Sequence, residues 1–148
     1  MPSIAHTFAN EQAMADHAKA LWQQVVAQHG LIFLSGPLGA GKSTWVRALL
    51  RASGVEGHIV SPTYTLLEPY SNGNQAFLHC DFYRLESGEA CFDLGIDAYL
   101  QDHIICIEWP EQVAPYLPRP DLWCHLDITD KGHSMRIEQL GPMVRALV

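Results

Sequence analysis

The residues best suited to chemistry stand together in a glycine-rich segment, Gly36-Pro37-Leu38-Gly39-Ala40-Gly41-Lys42-Ser43. This segment matches the phosphate-loop pattern G-x-x-x-x-G-K-[ST] at every specified position. Glycines allow successive backbone N–H groups to turn toward one phosphate, and a helix that begins near Lys42 points its positive end at the same anion. Lys42 could then reach the β- and γ-phosphates, and the Ser43 hydroxyl could ligate Mg²⁺. Thr44 adds a second hydroxyl, although a first-turn helix position explains it equally well. The segment therefore predicts a nucleotide-phosphate site.

A phosphate loop needs a carboxylate at the end of a neighbouring strand to hold Mg²⁺ or its waters. Two short apolar runs end in one: residues 77–80 lead into Asp81, and residues 104–107 lead into Glu108. Either acid could also be an ordinary solvated residue at a strand end. The spacing does not decide which of the two is the metal acid.

The elements that must position these residues follow from hydrophobic periodicity and turn signals. The first half of the chain predicts a strand over Ser3–Phe8, a helix over 11–28 capped by Asn10 and stopped at Gly30, a strand over 31–34, and a helix from near Lys42 to about Ser53 closed by Gly54. A strand, a glycine loop and a helix in this order open a nucleotide-binding α/β unit.

The second half of the chain is predicted to be richer in strands. It contains a hairpin of residues 63–70 and 75–83 about the turn Ser71-Asn72-Gly73-Asn74, weak helix signals over 87–100, and strands over 104–107, 122–128 and about 133–139. The turn signal Asn-Gly between β-branched and aromatic runs is typical of a hairpin. Together the elements predict an α/β fold.

Length and composition limit the function classes. A chain of 148 residues corresponds to one domain, 1–148, at roughly 150 residues per domain. Nine basic residues against sixteen acidic ones give a net charge of −7, which argues against broad, unassisted binding to nucleic acid, including DNA. Four cysteines without a C-x-x-C pair indicate reduced core thiols. The first residues carry no secretory signal pattern and the apolar runs are short, so we expect a cytoplasmic protein without a membrane segment.

Three further motifs accompany the phosphate loop: Ser61-Pro62-Thr63-Tyr64-Thr65-Leu66, His79-Cys80-Asp81-Phe82-Tyr83-Arg84-Leu85 and Glu108-Trp109-Pro110. In type, order and spacing they closely resemble the TsaE (YjeE) family, and the similarity covers essentially the whole chain. Members of that family are bacterial ATPases required to make threonylcarbamoyladenosine beside the anticodon of tRNAs that read codons beginning with A. Pro37 and Ser43 depart from the usual family residues, but Ser43 keeps the ligating hydroxyl.

The resemblance implies a P-loop NTPase-like three-layer sandwich with a central mixed β-sheet, and ATP and Mg²⁺ as ligands. By the same resemblance, Lys42 binds phosphates, Ser43 and Glu108 hold the metal, and Asp81 is the second catalytic acid. Thr63 resembles a switch-like residue that senses the γ-phosphate or the metal. The nucleotide-binding residues implied are those of the loop, with Glu11 from the first helix and Gly132 from the last hairpin turn: Gly36, Pro37, Leu38, Gly39, Ala40, Gly41, Lys42, Ser43, Thr44, Glu11 and Gly132.

The implied partners are the TsaD–TsaB complex and a TsaC-type enzyme of the same pathway, with tRNA contacted mainly through them. Two other functions remain open from the sequence. A small P-loop kinase would need an acceptor pocket and usually an arginine-rich lid, whereas this chain has six arginines and no basic cluster. A non-hydrolysing module would act through its nucleotide-bound state alone.

Three residues near the motifs have open roles. Trp109 lies either beside the nucleotide or a partner surface, or at the edge of the core. Arg84 could stabilise γ-phosphate charge, although an ion pair with an acid within residues 86–93 is the expected role. His79 stands two residues before Asp81 and could orient it, the ordinary alternative being a hydrogen-bonded strand histidine.

Overall fold

The structure, a computed structural model, describes residues 3–147. Within them the strands are β1 (Ser3–Phe8), β2 (Gly30–Ser35), β3 (Leu67–Ser71), β4 (Ala76–Asp81), β5 (His103–Glu108), β6 (Leu122–Thr129) and β7 (Gly132–Gln139). The helices are α1 (Glu11–Trp22), α2 (Lys42–Ser53) and the single turn α3 (Ala90–Asp93), with 3₁₀ turns at Ile96–Ala98 and Ala114–Tyr116.

All the described strands form one mixed sheet in the order β1-β7-β6-β2-β5-β4-β3. The central strands β6, β2, β5 and β4 run parallel, while β7, β1 and β3 pair antiparallel with their neighbours. The register pairs Asp81 with Glu108, and Glu108 with Leu34 of β2. The carboxyl ends of β2, β4 and β5 therefore meet at one edge of the sheet, and the loop that follows β2 starts beside both acids. The predicted α/β fold is confirmed.

The sheet is the middle of three layers. On one face, α1 and α2 pack together over the strands, and their buried side chains include Met14, Leu21 and the fully buried Trp45. On the other face, a second cluster forms beneath α3 and the 3₁₀ turns, around Phe33 and Phe82. Because β2 contributes apolar side chains to both faces, its sequence is a continuous apolar run, as expected for a central parallel strand.

Two predicted boundaries are wrong. Helix α1 ends at Trp22 and does not reach residue 28, because the chain after it pairs with the C-terminal segment. Val25 forms a β-bridge with Val144, and the Val26 N–H donates to the Met143 carbonyl over 2.9 Å. Gly30 is the first residue of β2 and not a helix stop. The cap predicted at Asn10 is confirmed, since its side chain accepts the Ala13 N–H.

The predicted hairpin is confirmed, but both of its strands are shorter than expected, and the second is Ala76–Asp81 where residues 75–83 were predicted. Residues 63–66 form turns, and only Leu67–Ser71 pair with β4. The Leu66 N–H donates to the Pro62 carbonyl over 2.8 Å, and Leu66 has φ +71, so the backbone curls before it enters the sheet. All four cysteines are free and buried. Within residues 3–147 no helix combines the length and the apolar character needed to cross a bilayer.

Candidate functional site

The glycine-rich loop connects the end of β2 to the start of α2. Gly36, Gly39 and Gly41 all have positive φ, a backbone conformation that glycine adopts without strain. A Cβ atom on Gly36 would lie 2.4 Å from the Leu126 carbonyl oxygen, and one on Gly41 would lie 2.6 Å from the Met14 side chain. Gly36 and Gly41 are therefore required both for the turn and for the close packing of the loop against β6 and α1, and Gly39 is required for the turn alone.

Lys42 is buried at the N-terminus of α2. Its ammonium donates to the carbonyls of Gly36, over 2.5 Å, and Pro37, over 2.9 Å, and it lies 4.3 Å from the centre of the Trp109 ring. Burial lowers the pKa of Lys42, while the carboxylates of Glu108, Asp81 and Glu111 act in the opposite direction. An ammonium has three N–H donors, so Lys42 can bind a phosphate oxygen while it stays attached to the loop.

Ser43, in the first turn of α2, is joined to the acid that ends β5. Its hydroxyl donates to the Glu108 carboxylate, with Oγ 2.9 Å from Oε1 and 2.8 Å from Oε2. Glu108 is buried and also contacts His79, whose Nε2 lies 2.6 Å from Oε2. The hypothesis that His79 orients Asp81 is therefore wrong: its side chain contacts Glu108. A hydroxyl and a carboxylate are the hard oxygen ligands that Mg²⁺ takes beside a nucleotide, so the groups present fit that metal.

Asp81 ends β4 directly beside Glu108. Its Oδ1 accepts the Tyr83 N–H over 3.0 Å, which fixes the carboxylate in the cleft. Burial raises the pKa of Asp81, and the negative charge of Glu108 adds to this, whereas the Tyr83 N–H acts against it. Glu108 thus lies close enough to influence the protonation of Asp81, an arrangement typical of sites that move protons.

We expect Asp81→Asn to raise the midpoint of thermal unfolding by a few degrees at neutral pH. An aspartate whose pKa is higher in the folded than in the unfolded chain binds more protons when folded. The free energy of unfolding therefore falls as pH rises between those two pKa values, and asparagine removes this loss. Thermal unfolding across the pH range measures the effect, with the exposed Asp130→Asn as the control. A lower midpoint for Asp81→Asn at neutral pH would contradict a raised pKa of Asp81 in the folded chain.

A cleft of about 380 Å³ opens over the loop and brings most of the predicted residues together. Its lining includes ten of them: Glu11, Leu38, Gly39, Gly41, Lys42, Ser43, Thr44, Thr63, Asp81 and Glu108. The other four do not line it. The carbonyls of Gly36 and Pro37 accept from Lys42, and the Ala40 side chain points into the core. Gly132 packs against the Phe8 carbonyl, where a Cβ on Gly132 would lie 2.1 Å from the carbonyl oxygen.

Two lining residues were not predicted, Met14 and His133. Met14 lies four residues after the Asn10 cap on the buried face of α1, and the sequence pattern there indicates an ordinary core residue. The His133 ring nitrogen Nδ1 lies 3.0 Å from the Ala40 carbonyl oxygen. Its one sequence signal is its position next to Gly132 in the last turn.

Trp109 and Arg84 also have defined positions. Trp109 lines the cleft, with its ring on Lys42 and 4.7 Å from the Tyr83 ring, and its backbone has φ +56. A tryptophan in this conformation is strained, so the surrounding contacts must hold it there. Arg84 lies 4.7 Å from the centre of the Tyr64 ring, and in the described part of the chain it forms no ion pair with an acid of residues 86–93. The prediction of that ion pair is wrong.

A glycine loop between a parallel strand and a helix, with two carboxylates at the ends of the neighbouring strands, defines a P-loop NTPase-like α/β domain. The family model "Threonylcarbamoyl adenosine biosynthesis protein TsaE" matches residues 8–137. The chain belongs to the TsaE family, and the resemblance is confirmed.

Curated relatives named "tRNA threonylcarbamoyladenosine biosynthesis protein TsaE" agree with this. The protein from Haemophilus influenzae is 32% identical over 93% of this chain and 90% of its own length. The protein from Treponema pallidum is 36% identical over 77% of this chain and 87% of its own. The crystal structure of YdiB from Bacillus subtilis matches with a TM-score of 0.75 over 95% of this chain and 87% of that one, at 22% identity, which supports the fold.

Proposed function

We propose that this chain binds MgATP in the cleft and hydrolyses it, as an accessory protein of threonylcarbamoyladenosine formation on tRNA. The observation that carries the proposal is the convergence of Lys42 and the hydrogen-bonded pair Ser43 and Glu108 in one cleft. A phosphate-binding cation and hard oxygen ligands side by side are the parts that phosphoryl transfer requires. Membership of the TsaE family supports the pathway.

In the proposed reaction, the loop amides and the N-terminus of α2 bind the phosphates, because both present N–H groups to an anion. Lys42 reaches the β- and γ-phosphates. Ser43 and Glu108 would hold Mg²⁺, directly or through water, and the bound metal would supply neutralisation of the negative charge on the phosphate oxygens. Asp81 orients the attacking water or accepts its proton, a role that Glu108 could also fill. Thr63 couples phosphate occupancy to the turns at 62–66.

The raised pKa of Asp81 supports its role as a proton acceptor, because a general base works best when its pKa lies nearer the working pH. Most of the rate enhancement in phosphoryl transfer comes from positioning and electrostatics. A slow rate is therefore expected while partners are absent.

The partners we propose are the TsaD–TsaB complex and, within the pathway, a TsaC-type enzyme, in the cytoplasm. The net charge of −7 supports tRNA contact mainly through those partners, since direct phosphate binding needs lysines and arginines.

The test follows the terminal phosphate of ATP labelled at that position. The purified chain is incubated with MgATP, alone and with candidate small acceptors, and the products are separated. Hydrolysis predicts free phosphate at the same rate with and without acceptor. Label on an acceptor would identify a small-molecule kinase, and binding without product would identify a non-hydrolysing module; either result contradicts the proposal.

A further inference from the structure

His79 is a buried polar residue that the proposed reaction does not use. It stands in β4 on the same face as Asp81 and is fully buried. In the β4–β5 register, His79 pairs with Cys106 and Asp81 pairs with Glu108. His79 therefore stands two residues before Asp81 on its own strand and diagonally across from Glu108 on β5. This places its ring against the inner side of Glu108, away from the mouth of the cleft.

Nε2 of His79 lies 2.6 Å from Glu108 Oε2. We assign Nε2 as the N–H donor of this hydrogen bond, because a carboxylate oxygen accepts. Among the described residues, Nδ1 of His79 is the buried side-chain nitrogen or oxygen without a hydrogen-bond partner. Glu108 is thus the hydrogen-bond partner that the described residues offer to this buried ring, and the contact accounts for a polar residue at this position.

We propose that His79 is a positioning residue for Glu108. Its N–H donor and the Ser43 hydroxyl contact the same carboxylate from different elements, β4 and α2. Two donors fix the plane of a carboxylate that one donor would leave free to rotate. This inference rests on the proposed function, because it assigns to His79 the orientation of the acid that would hold Mg²⁺. Partners of this kind typically change metal affinity or activity by about 10- to 100-fold when they are removed.

The experiment compares His79→Leu, which removes the donor, with His79→Gln, which keeps an N–H donor at a similar distance from the backbone. Each variant is titrated with a non-hydrolysable ATP analogue in excess Mg²⁺ and again in EDTA, and turnover is measured as a function of Mg²⁺ concentration. The matched control is His125→Leu, since His125 Nε2 lies at the same 2.6 Å from Glu138, outside the cleft. Circular dichroism shows whether each variant is folded.

We expect His79→Leu to raise the half-saturating Mg²⁺ concentration or to lower kcat by about 10- to 100-fold. Its affinity for the analogue in EDTA should stay within about twofold, since His79 does not line the cleft. His79→Gln should recover most of the loss. In a Glu108→Gln background, His79→Leu should lower kcat little further, because His79 acts through Glu108.

A folded His79→Leu with wild-type Mg²⁺ dependence and turnover would overturn the inference. The same fall in kcat from His79→Leu in the Glu108→Gln background as in the wild-type chain would also overturn it. If His79→Leu does not fold, His79→Asn replaces it, since asparagine is polar but too short to reach Glu108. A wild-type chain that binds no MgATP would contradict the proposed function and the inference with it. If the wild-type chain hydrolyses ATP and folded His79→Leu has the same Mg²⁺ dependence and turnover, the inference about His79 is contradicted while the proposed function stands.

Discussion

Lys42→Ala is expected to weaken MgATP binding by about 10- to 100-fold and to reduce hydrolysis to background. The substitution removes the buried cation that lies under Trp109 at the N-terminus of α2. A hydrogen bond to a charged group contributes about 1.5–3 kcal/mol, and each 1.4 kcal/mol corresponds to a factor of ten. Calorimetric titration with a non-hydrolysable analogue measures the affinity, and phosphate release measures the turnover.

The control for this change is Lys19→Ala, which removes an exposed lysine from the last turn of α1. It should leave both quantities at the wild-type value. Lys42→Arg serves as a second comparison, because it keeps the charge but replaces a compact ammonium with a planar group. Wild-type turnover by folded Lys42→Ala would refute the assignment of the cleft as the ATP site.

Glu108→Gln is expected to lower turnover by about 100-fold or more while ATP affinity in EDTA changes little. Glutamine has nearly the same shape and can still accept the Ser43 hydroxyl, but it lacks the negative charge that a divalent metal or a proton transfer requires. Removal of a general base alone costs about 10²- to 10⁴-fold. The measurement is kcat over a range of Mg²⁺ concentrations, combined with analogue binding with and without the metal.

Glu138→Gln is the matched control, because Glu138 also accepts from a histidine, His125, over 2.6 Å, but lies on β7 away from the cleft. It should keep wild-type turnover. If the two variants lose turnover equally, the effect of Glu108→Gln comes from the loss of a histidine–carboxylate contact in general. That result would contradict a metal role for Glu108.

The parts of the site that depend on contiguous residues could be predicted from the sequence. The glycine loop, its lysine and its hydroxyl are adjacent in the chain, and their chemistry fixes their spacing. The acids Asp81 and Glu108 were also predicted, because each follows a short apolar run. Spacing alone does not show which of the two acids meets Ser43, since that depends on how the strands line up, whereas the family resemblance implies Glu108. The structure places Glu108 there.

The contacts that were missed cross between elements. The bond from His79 to Glu108 depends on the register of β4 against β5, and a sequence pattern does not encode register. The position of Trp109 over Lys42 depends on a positive φ, which tryptophan rarely adopts. The end of α1 at Trp22 depends on a bridge between residues about 120 positions apart in the chain, and such tertiary pairing overrides the helical pattern.

We propose that this chain is an accessory ATPase that acts on the TsaD–TsaB complex. The most direct test is the rate of phosphate release by the wild-type chain, measured alone and with the complex, each with and without tRNA. We expect a slow rate for the chain alone and a clear increase with the complex, and we expect Glu108→Gln to abolish that increase. An identical rate in all four conditions would contradict this proposal.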